Sequence, residues 1–540
     1  MKLWKSLFAA ALLVLAGGLT VVSAPTAQAL ENGVARTPPM GWNSWNTFGC
    51  SINETLIRQM ADAMVSSGMR DLGYQYAVVD DCWMNPNRDS SGNLQGDPSR
   101  FPSGMKALGD YLHGKGLKFG IYQGPLDKTC AQYFGSYPGA TGSQGHEAQD
   151  ARQFAAWGVD YLKYDWCSPN GSISDQVTTF AKMRDALAAT GRPIVYSINP
   201  NSIHAKTGPQ RDWGDVANMW RTTEDITNAW DTGQTNGYPM GIQNIVNVTV
   251  PLAGYAAPGG FNDPDMMEVG RGGMTDTEMR SHFALWAMLA APLIAGNDLR
   301  SMNTATQTIL KNQNLIAIDQ DALGLQATQI SNDGTRRVLA KRLANGDVAV
   351  ALFNQGSATT TISTTAAVAG KSGSSFTLRE AWSGTTTSST GSISASVPGH
   401  GTVVYRVSGG TSTPPANTRA LVSAASGRCL DVPGSNTTNG TQPVIWDCNG
   451  GANQRWTISG PAIQVLGKCL DAPINATAGA KAQIWDCNGG ANQQWTVGGD
   501  GTIRGTPSGL CLDVDHNLTA NGTVVLLWTC SGAANQRWTS

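Results

Sequence analysis

Four short segments of this chain carry carboxylates where a predicted strand runs out into a loop. They are Val79-Asp80-Asp81, Lys163-Tyr164-Asp165, Arg221-Thr222-Thr223-Glu224-Asp225 and Asn262-Asp263-Pro264-Asp265. Stretches of helical length separate them. Because the carboxyl ends of the strands of an α/β barrel open on one face, these acids are expected to converge there, as a sugar-cleaving site requires.

The region 30–323 alternates strand-like and helix-like runs. Amphipathic stretches such as Asn53–Ser67 and Ser174–Thr190 lie between the strands. The pattern predicts a (β/α)8 TIM barrel, in the α/β class. An open doubly wound sheet is the alternative, but no Gly-x-Gly-x-x-Gly loop follows the first strand, which disfavours its nucleotide-binding version. The predicted strands are 39–45, 76–80, 117–122, 159–165, 193–198, 217–221, 259–262 and 292–295.

The periodicity changes after the barrel. Short alternating runs at 337–342, 348–353, 359–363 and 401–405 predict an antiparallel β-sandwich domain over 324–408, without helices. Residues 409–418, rich in Gly, Ser, Thr and Pro, are typical of an extended linker.

The segment 419–540 contains a threefold repeat. Each copy has a Cys-Leu-Asp motif, an aromatic near a second Cys, and a closing Gln-x-Trp. The closing residues Trp456, Trp495 and Trp538 are 39 and 43 residues apart, which indicates one supersecondary unit copied around a shared core. The Cys gaps of 19, 18 and 19 predict a disulfide inside each copy, each stabilising by roughly 3 kcal/mol. The pairs are Cys429–Cys448, Cys469–Cys487 and Cys511–Cys530.

The N-terminus and the composition bear on location and partners. Residues 1–29 combine lysines, an apolar run and Ala27-Gln28-Ala29, which predicts a signal peptide and a secreted, extracellular protein rather than a membrane anchor. Charged residues make up 14% and the net charge is -2, so a neutral polar substrate is favoured over nucleic acid or a membrane surface. No tight Cys or His spacing predicts a metal site, and no cofactor is expected. The sequence offers no basis for an oligomeric state.

The repeat 419–540 resembles the ricin-B-like β-trefoil lectins, the thirteenth family of carbohydrate-binding modules. The resemblance implies that each copy binds sugar with the Asp after its first Cys, the aromatic near its second Cys and the Asn-Gln of its closing motif. Where the other copies have Val444 and Leu526, the middle copy has a Gln two residues before its aromatic. The middle copy is therefore the favoured galactose-type site, whereas the closing tryptophans are expected to hold the fold together. Its predicted ligands are Asp471, Gln483, Trp485, Asn492 and Gln493.

The segment from Arg36 to Gly324 resembles the α-galactosidases of glycoside hydrolase family twenty-seven. The resemblance implies a (β/α)8 barrel followed by an antiparallel β domain, which agrees with the alternation described above. The matching motifs, in order, are Gly41-Trp42-Asn43-Ser44-Trp45, Asp80-Asp81-Cys82-Trp83, Gly120-Ile121-Tyr122 with Cys130, Lys163-Tyr164-Asp165 with Cys167, Trp220-Arg221 with Asp225, and Gly260-Phe261-Asn262-Asp263-Pro264-Asp265-Met266.

The resemblance implies a retaining exo-glycosidase that removes terminal α-D-galactosyl residues by double displacement. Asp165 is the implied nucleophile and Asp225 the general acid/base, with carboxyl groups about 5–5.5 Å apart. Glu224 is the alternative to Asp225. Lys163 lies two residues before Asp165, on the same strand face, and is expected to bond sugar hydroxyls and to keep Asp165 ionised.

The resemblance also implies the remaining roles in the pocket. Asp80, Asp81 and Arg221 are expected to bind the 6-, 4- and 2-hydroxyls, and Asp265 to contribute at the same end of the barrel. Trp45 is expected to face the apolar side of the sugar, and Tyr122 to hold an oxygen of Asp165. The implied disulfides of this region are Cys50–Cys82 and Cys130–Cys167.

The chain departs from the family pattern at two places that line the pocket wall. After the fifth strand it reads Tyr196-Ser197-Ile198-Asn199-Pro200-Asn201 instead of a Cys-Glu-Trp type sequence, and 123–127 is not a small-residue loop. The alternatives are a β-L-arabinopyranosidase, whose sugar lacks the 6-hydroxymethyl group, and, from a different class, a non-catalytic galactose-binding lectin. Asp80 and the intact catalytic set favour a galactosidase acting on galactose-containing oligo- or polysaccharide.

Overall fold

The computed structural model describes residues 30, 32–200, 211–412, 417–449, 451–459, 461–498 and 500–539. The predicted signal peptide, 1–29, and residues 413–416 of the predicted linker lie outside this range. Within it, no helix has the length and apolar character needed to cross a bilayer.

The first part of the described chain forms one parallel sheet of eight strands. Each strand pairs in parallel with its sequence neighbour, and β1 also pairs with β8. The Met267 amide donates to the Ile294 carbonyl at 2.7 Å, which joins the end of β7 to β8 and closes the barrel. The strands are β1 Met40–Asn43, β2 Tyr76–Val79, β3 Lys118–Gln123, β4 Val159–Asp165, β5 Val195–Asn199, β6 Met219–Arg221, β7 Phe261–Asp263 and β8 Leu293–Ala295.

Helices surround this sheet on the outside. Several begin at side-chain caps that satisfy free amides of the first turn, as at Asn53, Thr129, Ser172 and Thr275. The helices are α1 Trp45–Phe48, α2 Glu54–Ser66, α3 Met105–Gly114, α4 Cys130–Tyr133, α5 Glu147–Trp157, α6 Ile173–Ala189, α7 Ile242–Thr249, α8 Asp276–Leu289, α9 Thr304–Leu310 and α10 Gln313–Asp319. The predicted (β/α)8 barrel is confirmed.

An antiparallel domain packs on α8 through the sheet β15-β14-β17-β11-β10-β9. Strand β11 is buried along its whole length, which explains its continuous apolar sequence. The predicted β-sandwich is confirmed. Its strands are β9 Thr328–Asn332, β10 Arg336–Arg342, β11 Val348–Asn354, β12 Thr360–Thr365, β13 Lys371–Ser372, β14 Phe376–Glu380, β15 Thr386–Ser389, β16 Ser392–Val397, β17 Thr402–Ser408 and β18 Thr411–Ser412.

The last part of the chain forms a β-rich domain with its own core, in which the closing residues Trp456, Trp495 and Trp538 are buried. The indole of each donates to a backbone carbonyl, of Leu430, Leu470 and Leu512 respectively, so these tryptophans hold the fold together as expected. The strands are β19 Asn417–Arg419, β20 Val422–Ser423, β21 Cys429–Asp431, β22 Val444–Trp446, β23 Trp456–Ser459, β24 Ala462–Val465, β25 Lys468–Asp471, β26 Gln483–Asp486, β27 Trp495–Val497, β28 Ile503–Gly505, β29 Cys511–Val514, β30 Thr523–Trp528 and β31 Trp538–Thr539.

The last domain contacts the barrel directly. The Arg455 guanidinium pairs with Asp212 at 2.7 Å, donates to the Gly254 carbonyl at 2.9 Å and lies 5.3 Å from the centre of the Tyr255 ring. In the predicted linker, β18 pairs with β13 and β19 pairs with β23. The described ends of that segment are therefore strands of the flanking domains and not a free spacer.

Candidate active site

The predicted catalytic side chains converge at the carboxyl end of the barrel. Asp80 and Asp81 directly follow β2, Asp165 ends β4, and Arg221 ends β6. A cleft that opens to solvent lies at this end of the barrel. It is lined by Asn43, Tyr161, Lys163, Asp165, Ser197, Ile198, Asn199, Arg221, Asp263, Asp265, Met266 and Ile294.

Lys163 links two carboxylates at the floor of this cleft. Its Nζ lies 2.8 Å from Asp80 Oδ2 and 3.9 Å from Asp165 Oδ2. Asn43 donates a second hydrogen bond, of 2.7 Å, to the same oxygen of Asp80. Burial lowers the pKa of Lys163, but the carboxylates of Asp80, Asp165 and Asp265 outweigh burial and raise the pKa above its ordinary value. Lys163 is therefore a firmly charged group between Asp80 and Asp165.

Asp165 is buried, with 8% of its surface exposed. Its Oδ1 has no hydrogen-bond partner in the described part of the chain. Burial raises the pKa of Asp165 to about 7, while Lys163 acts in the opposite direction. One buried carboxylate oxygen thus lacks a donor to stabilise its charge, in keeping with the raised pKa.

Arg221 organises the opposite side of the cleft. Its Nη2 lies 2.7 Å from Asp265 Oδ2 and 3.1 Å from Asp225 Oδ1. Asp265 also accepts the Ile226 amide at 3.0 Å, which fixes the backbone next to Asp225. The Asp225 side chain is 45% exposed, whereas those of Arg221 and Asp265 are 5% exposed. Asp225 is therefore the exposed member of this group, at the mouth of the cleft, and it contacts the buried ion pair of Arg221 and Asp265.

Glu224 and Asp225 differ in environment although they are adjacent. Glu224 as a residue is 5% exposed, and its amide donates to Asn236 Oδ1 at 3.3 Å. Asp225 is exposed and pairs with Arg221. This difference supports Asp225 over Glu224 as the group that meets a leaving group at the mouth.

Asp81 binds the backbone of two loops. Its carboxylate oxygens accept the Cys82 amide at 2.7 Å and the Ala131 amide at 2.8 Å. Burial raises the pKa of Asp81 to about 6, while the two backbone hydrogen bonds lower it. Each oxygen keeps a lone pair for a further donor, such as a sugar hydroxyl.

Tyr122 does not make the hydrogen bond expected of it. Its hydroxyl accepts the Cys130 amide at 3.4 Å and does not bond Asp165. Cys130 is the first residue of α4, and its amide, which has no helical acceptor, uses the Tyr122 hydroxyl as its acceptor. Tyr122 instead places its ring 5.3 Å from Lys163 Nζ. Trp45, in α1, follows β1 at the same end of the barrel, where its amide donates to Asn43 Oδ1 at 2.8 Å.

Two disulfides attach the site loops to each other. Cys50 pairs with Cys82, next to Asp81, and Cys130 pairs with Cys167, two residues after Asp165. Both pairings are those that the resemblance implies. The three other bridges, one per copy of the repeat, are also the predicted ones.

The sequence analysis gave no binding role to four polar residues of the cleft, namely Asn43, Ser197, Asn199 and Asp263, although it placed Asp263 among the converging acids and Ser197 and Asn199 on the pocket wall. Burial raises the pKa of Asp263 to about 6, and its Oδ1 accepts the Asp265 amide at 2.9 Å. Each of these residues ends or adjoins a barrel strand, and the alternation of side chains along a strand was the signal that could have identified them.

In the middle copy of the repeat, the residues predicted to bind sugar lie close together. Asp471 accepts hydrogen bonds from Gln483 at 2.9 Å, Asn492 at 2.8 Å and Gln493 at 3.0 Å. The Trp485 ring is 39% exposed beside them. The Gln483 amide nitrogen thus donates to Asp471 and is not free to bind a sugar directly, as was predicted. The Gln483 amide oxygen remains available to a ligand.

The other copies repeat this arrangement without the Gln. One oxygen of Asp431 accepts hydrogen bonds from the side-chain amides of Asn453 and Gln454. The Asp513 carboxylate accepts hydrogen bonds from those of Asn535 and Gln536. Trp446 is 44% exposed and Trp528 is 48% exposed. All three copies therefore present an exposed ring next to a hydrogen-bonded Asp.

Each exposed ring faces a glycine of another copy, and the glycines are Gly522, Gly440 and Gly479. At two of these contacts, the residue before the glycine is an Asn. Its side chain bonds the Asp that follows the exposed Trp, and it also bonds a Lys or Arg side chain. Asn439 donates to Asp486 at 2.7 Å and accepts from Lys468 at 2.9 Å. Asn521 likewise bonds Asp447 and Arg428. We call each three-residue set a clamp; at the third contact the corresponding residues are Ala478, Thr529 and Leu510, which cannot form one.

Known proteins share this architecture. Residues 37–321 match the family described as Alpha galactosidase A, 333–407 match its C-terminal beta sandwich domain, and 417–538 match the ricin-type beta-trefoil lectin domain. The predicted trefoil is thereby confirmed.

Individual relatives agree. An Alpha-galactosidase A of Cellvibrio japonicus is 44% identical over 415 residues, covering 72% of this chain and 98% of that protein. The crystal structure of alpha-galactosidase I from Mortierella vinacea superposes with a TM-score of 0.67 and 35% identity, covering 71% of this chain and 100% of that one. A β-L-arabinopyranosidase from Geobacillus stearothermophilus, 23% identical over 69% of this chain and 97% of that one, with a TM-score of 0.59, shares the fold. The chain therefore belongs to the Alpha galactosidase A family of glycoside hydrolases.

Proposed function

We propose that this chain is a secreted retaining α-galactosidase that removes terminal α-D-galactosyl groups from oligo- or polysaccharides, with Asp165 as nucleophile and Asp225 as general acid/base. The observation that carries the proposal is the pair formed by Asp165, buried with a free oxygen beside Lys163, and Asp225, held at the mouth by Arg221.

In the first step, the Asp165 carboxylate attacks the anomeric carbon as the bond from that carbon to the leaving oxygen breaks. Asp225 donates its proton to that oxygen, so the leaving group departs neutral. The Lys163 charge favours the ionised form of Asp165, which burial alone disfavours.

In the second step, Asp225, now ionised, takes a proton from water, and the water oxygen attacks the anomeric carbon. The bond to Asp165 breaks and the sugar leaves with its original configuration. The exposure of Asp225 gives water direct access to it.

Recognition of galactose rests on the deep end of the cleft. Asp80, bonded by Asn43 and Lys163, is the proposed partner of the 6-hydroxyl, and Asp81 that of the 4-hydroxyl. A sugar lacking one of these hydroxyls forgoes a hydrogen bond to a buried carboxylate, which costs transition-state binding. This favours galactose over L-arabinopyranose, and the relatives with a galactosidase name are nearer than the arabinopyranosidase.

The trefoil is the proposed anchor on galactose-bearing polysaccharide, through Asp471, Trp485, Asn492 and Gln493. The ring faces the apolar side of a pyranose, while the amides and the carboxylate meet its hydroxyls. Since the domain contacts the barrel through Arg455, binding there raises the local concentration of substrate. The five disulfides are consistent with an extracellular location.

The test compares p-nitrophenyl α-D-galactopyranoside with p-nitrophenyl β-L-arabinopyranoside, and follows the first-formed anomer of the sugar by proton NMR. We expect faster galactoside cleavage, α-galactose as first product, and loss of activity by about 10³-fold or more in Asp165→Asn. Asp185→Asn, on the exposed face of α6, is the matched control. Preference for the arabinoside, or β-galactose appearing first, would contradict the proposal.

A further inference from the structure

Tyr238 is a large aromatic residue on the catalytic face that is left uncovered, with 70% of its surface exposed. It lies in the loop between Asp225 and α7. Isolated exposed aromatics are ordinary on a protein surface, so the position of this one relative to Asp225 decides its meaning.

The loop that carries Tyr238 leaves Asp225 and returns to it. The Met240 amide donates to the Asp225 carbonyl at 3.0 Å, and the Thr227 amide donates to the Met240 carbonyl at 2.8 Å. Tyr238 precedes Met240 by two residues, so its Cα lies within about 7 Å of the Met240 Cα. The backbone at Tyr238 is thereby kept near the backbone of the proposed acid/base.

Two further hydrogen bonds restrain the same loop. Thr232 Oγ1 donates to the Pro239 carbonyl at 2.7 Å, and Asn236 Oδ1 accepts the Glu224 amide at 3.3 Å. These bonds hold Asn236 and Pro239, on either side of Tyr238, to earlier residues of the same loop. Tyr238 is thus exposed on a fixed backbone, and little conformational entropy is lost when a ligand covers its ring.

We propose that Tyr238 is the platform for the sugar unit that carries the galactosyl group, on the leaving side of the cleaved bond. This rests on the proposed function. The leaving oxygen must lie within hydrogen-bond reach of Asp225, so the pyranose attached to it emerges at the mouth on the side of Asp225 and Tyr238. A tyrosine ring offers an apolar face to the pyranose and a hydroxyl to its polar edge.

A second exposed aromatic pair supplies a matched comparison. Tyr133 and Phe134 are 43% and 63% exposed, and their rings meet edge to face at 5.2 Å. They follow β3, on the side where the Ala131 amide bonds Asp81 at 2.8 Å. That side faces the proposed 4-hydroxyl and not the leaving oxygen, so Phe134→Ala is the control for loss of an exposed ring at the mouth.

The experiment uses the full chain and two substrates with the same galactosyl group. One is methyl α-D-galactopyranoside, whose leaving group needs the same proton from Asp225 but is too small to reach a platform, and the other is a galactosyl-substituted manno-oligosaccharide. We expect Tyr238→Ala to lower the ratio of kcat/KM for the oligosaccharide to that for the methyl galactoside by about five- to tenfold. Tyr238→Phe should keep most of the ratio, and Phe134→Ala should keep all of it.

An unchanged ratio in Tyr238→Ala, or an equal drop in Phe134→Ala, would overturn the platform. An equal loss on both substrates in Tyr238→Ala would assign Tyr238 to support of the Asp225 loop and would also overturn it. A wild-type chain that cleaves neither substrate would instead overturn the proposed function, so the two failures are distinguishable.

Discussion

The barrel and the trefoil both place aspartates next to exposed surface, but they treat these carboxylates in opposite ways. In the barrel, Asp165 keeps an unbonded buried oxygen, and burial raises its pKa to about 7. In the trefoil, both oxygens of Asp471 accept hydrogen bonds from neutral amides. A carboxylate left short of donors is reactive, whereas one fully bonded serves as a rigid acceptor.

Charge shows the same contrast. Lys163 and Arg221 lie among five carboxylates in the barrel, so each protonation state there depends on its neighbours. The cations near the trefoil rings, Arg428 and Lys468, pair with partly exposed aspartates at the rim. Surface pairs of that kind contribute little energy and mainly fix geometry. The barrel is therefore built to change charge during a reaction, and the trefoil to hold a shape.

The largest effect expected from this contrast is at Lys163. Lys163→Met leaves Asp80 and Asp165 buried without the cation between them, so kcat/KM on the p-nitrophenyl galactoside should fall by about 10²–10³-fold. The exposed Lys182→Met in α6 is the control. A fall of less than tenfold would mean that the barrel cluster tolerates unpaired charge as the trefoil rim does.

The pH profile of kcat/KM tests the same cluster. The nucleophile must be ionised, and burial raises the pKa of Asp165 to about 7, so activity should rise with pH up to about 7, with about a tenfold change per unit below it. Because Lys163 lowers this pKa, the rising, acidic part of the pH profile should move to higher pH in Lys163→Met. An acidic part of the profile with its midpoint near pH 4 would show that Asp165 ionises as an ordinary surface aspartate.

For the trefoil, Trp485→Ala should weaken binding to a galactose-bearing polysaccharide about tenfold and leave kcat/KM on the p-nitrophenyl galactoside unchanged. Affinity electrophoresis in gels containing the polysaccharide measures the first quantity. Ile474→Ala, at a residue that is 80% exposed in the same copy, is the control. A drop in catalysis would contradict the separation of the two sites.

The smallest expected effect concerns the clamps. Asn439→Ala removes the bonds to Asp486 and Lys468 that fix the backbone behind Trp485, so polysaccharide binding should weaken about two- to threefold. Ala478→Asn is the matched control, because Thr529 and Leu510 offer it no partners. Equal effects of the two changes would show that the clamps do not position the rings.

Much of the fold and of the site could be predicted from local sequence. Strand alternation placed all eight barrel strands within about two residues of their observed bounds, and it put Asp80, Asp165 and Arg221 at strand ends that share one face. The Cys spacing of the repeat predicted three disulfides, because a short loop favours its own closure. These features depend on periodicity and chain proximity, which the sequence contains.

Other contacts depended on where distant segments meet. The Tyr122 hydroxyl accepts the first free amide of α4, at Cys130, and Gln483 turns to Asp471 because the two face each other across paired strands. Asn43 bonds Asp80 because β1 pairs in parallel with β2, which Asp80 follows.

The sequence by itself determined the order of the three domains, the residues able to act as nucleophile and acid, and the repeat that builds the trefoil. The tertiary structure alone decided which oxygen of Asp165 stays free, how Lys163 is shared between two carboxylates, and where Asp225 and Tyr238 stand relative to the mouth. The physical reason is that ionisation and hydrogen bonding are set by burial and by atoms within a few ångströms, and most of those atoms come from segments remote in sequence.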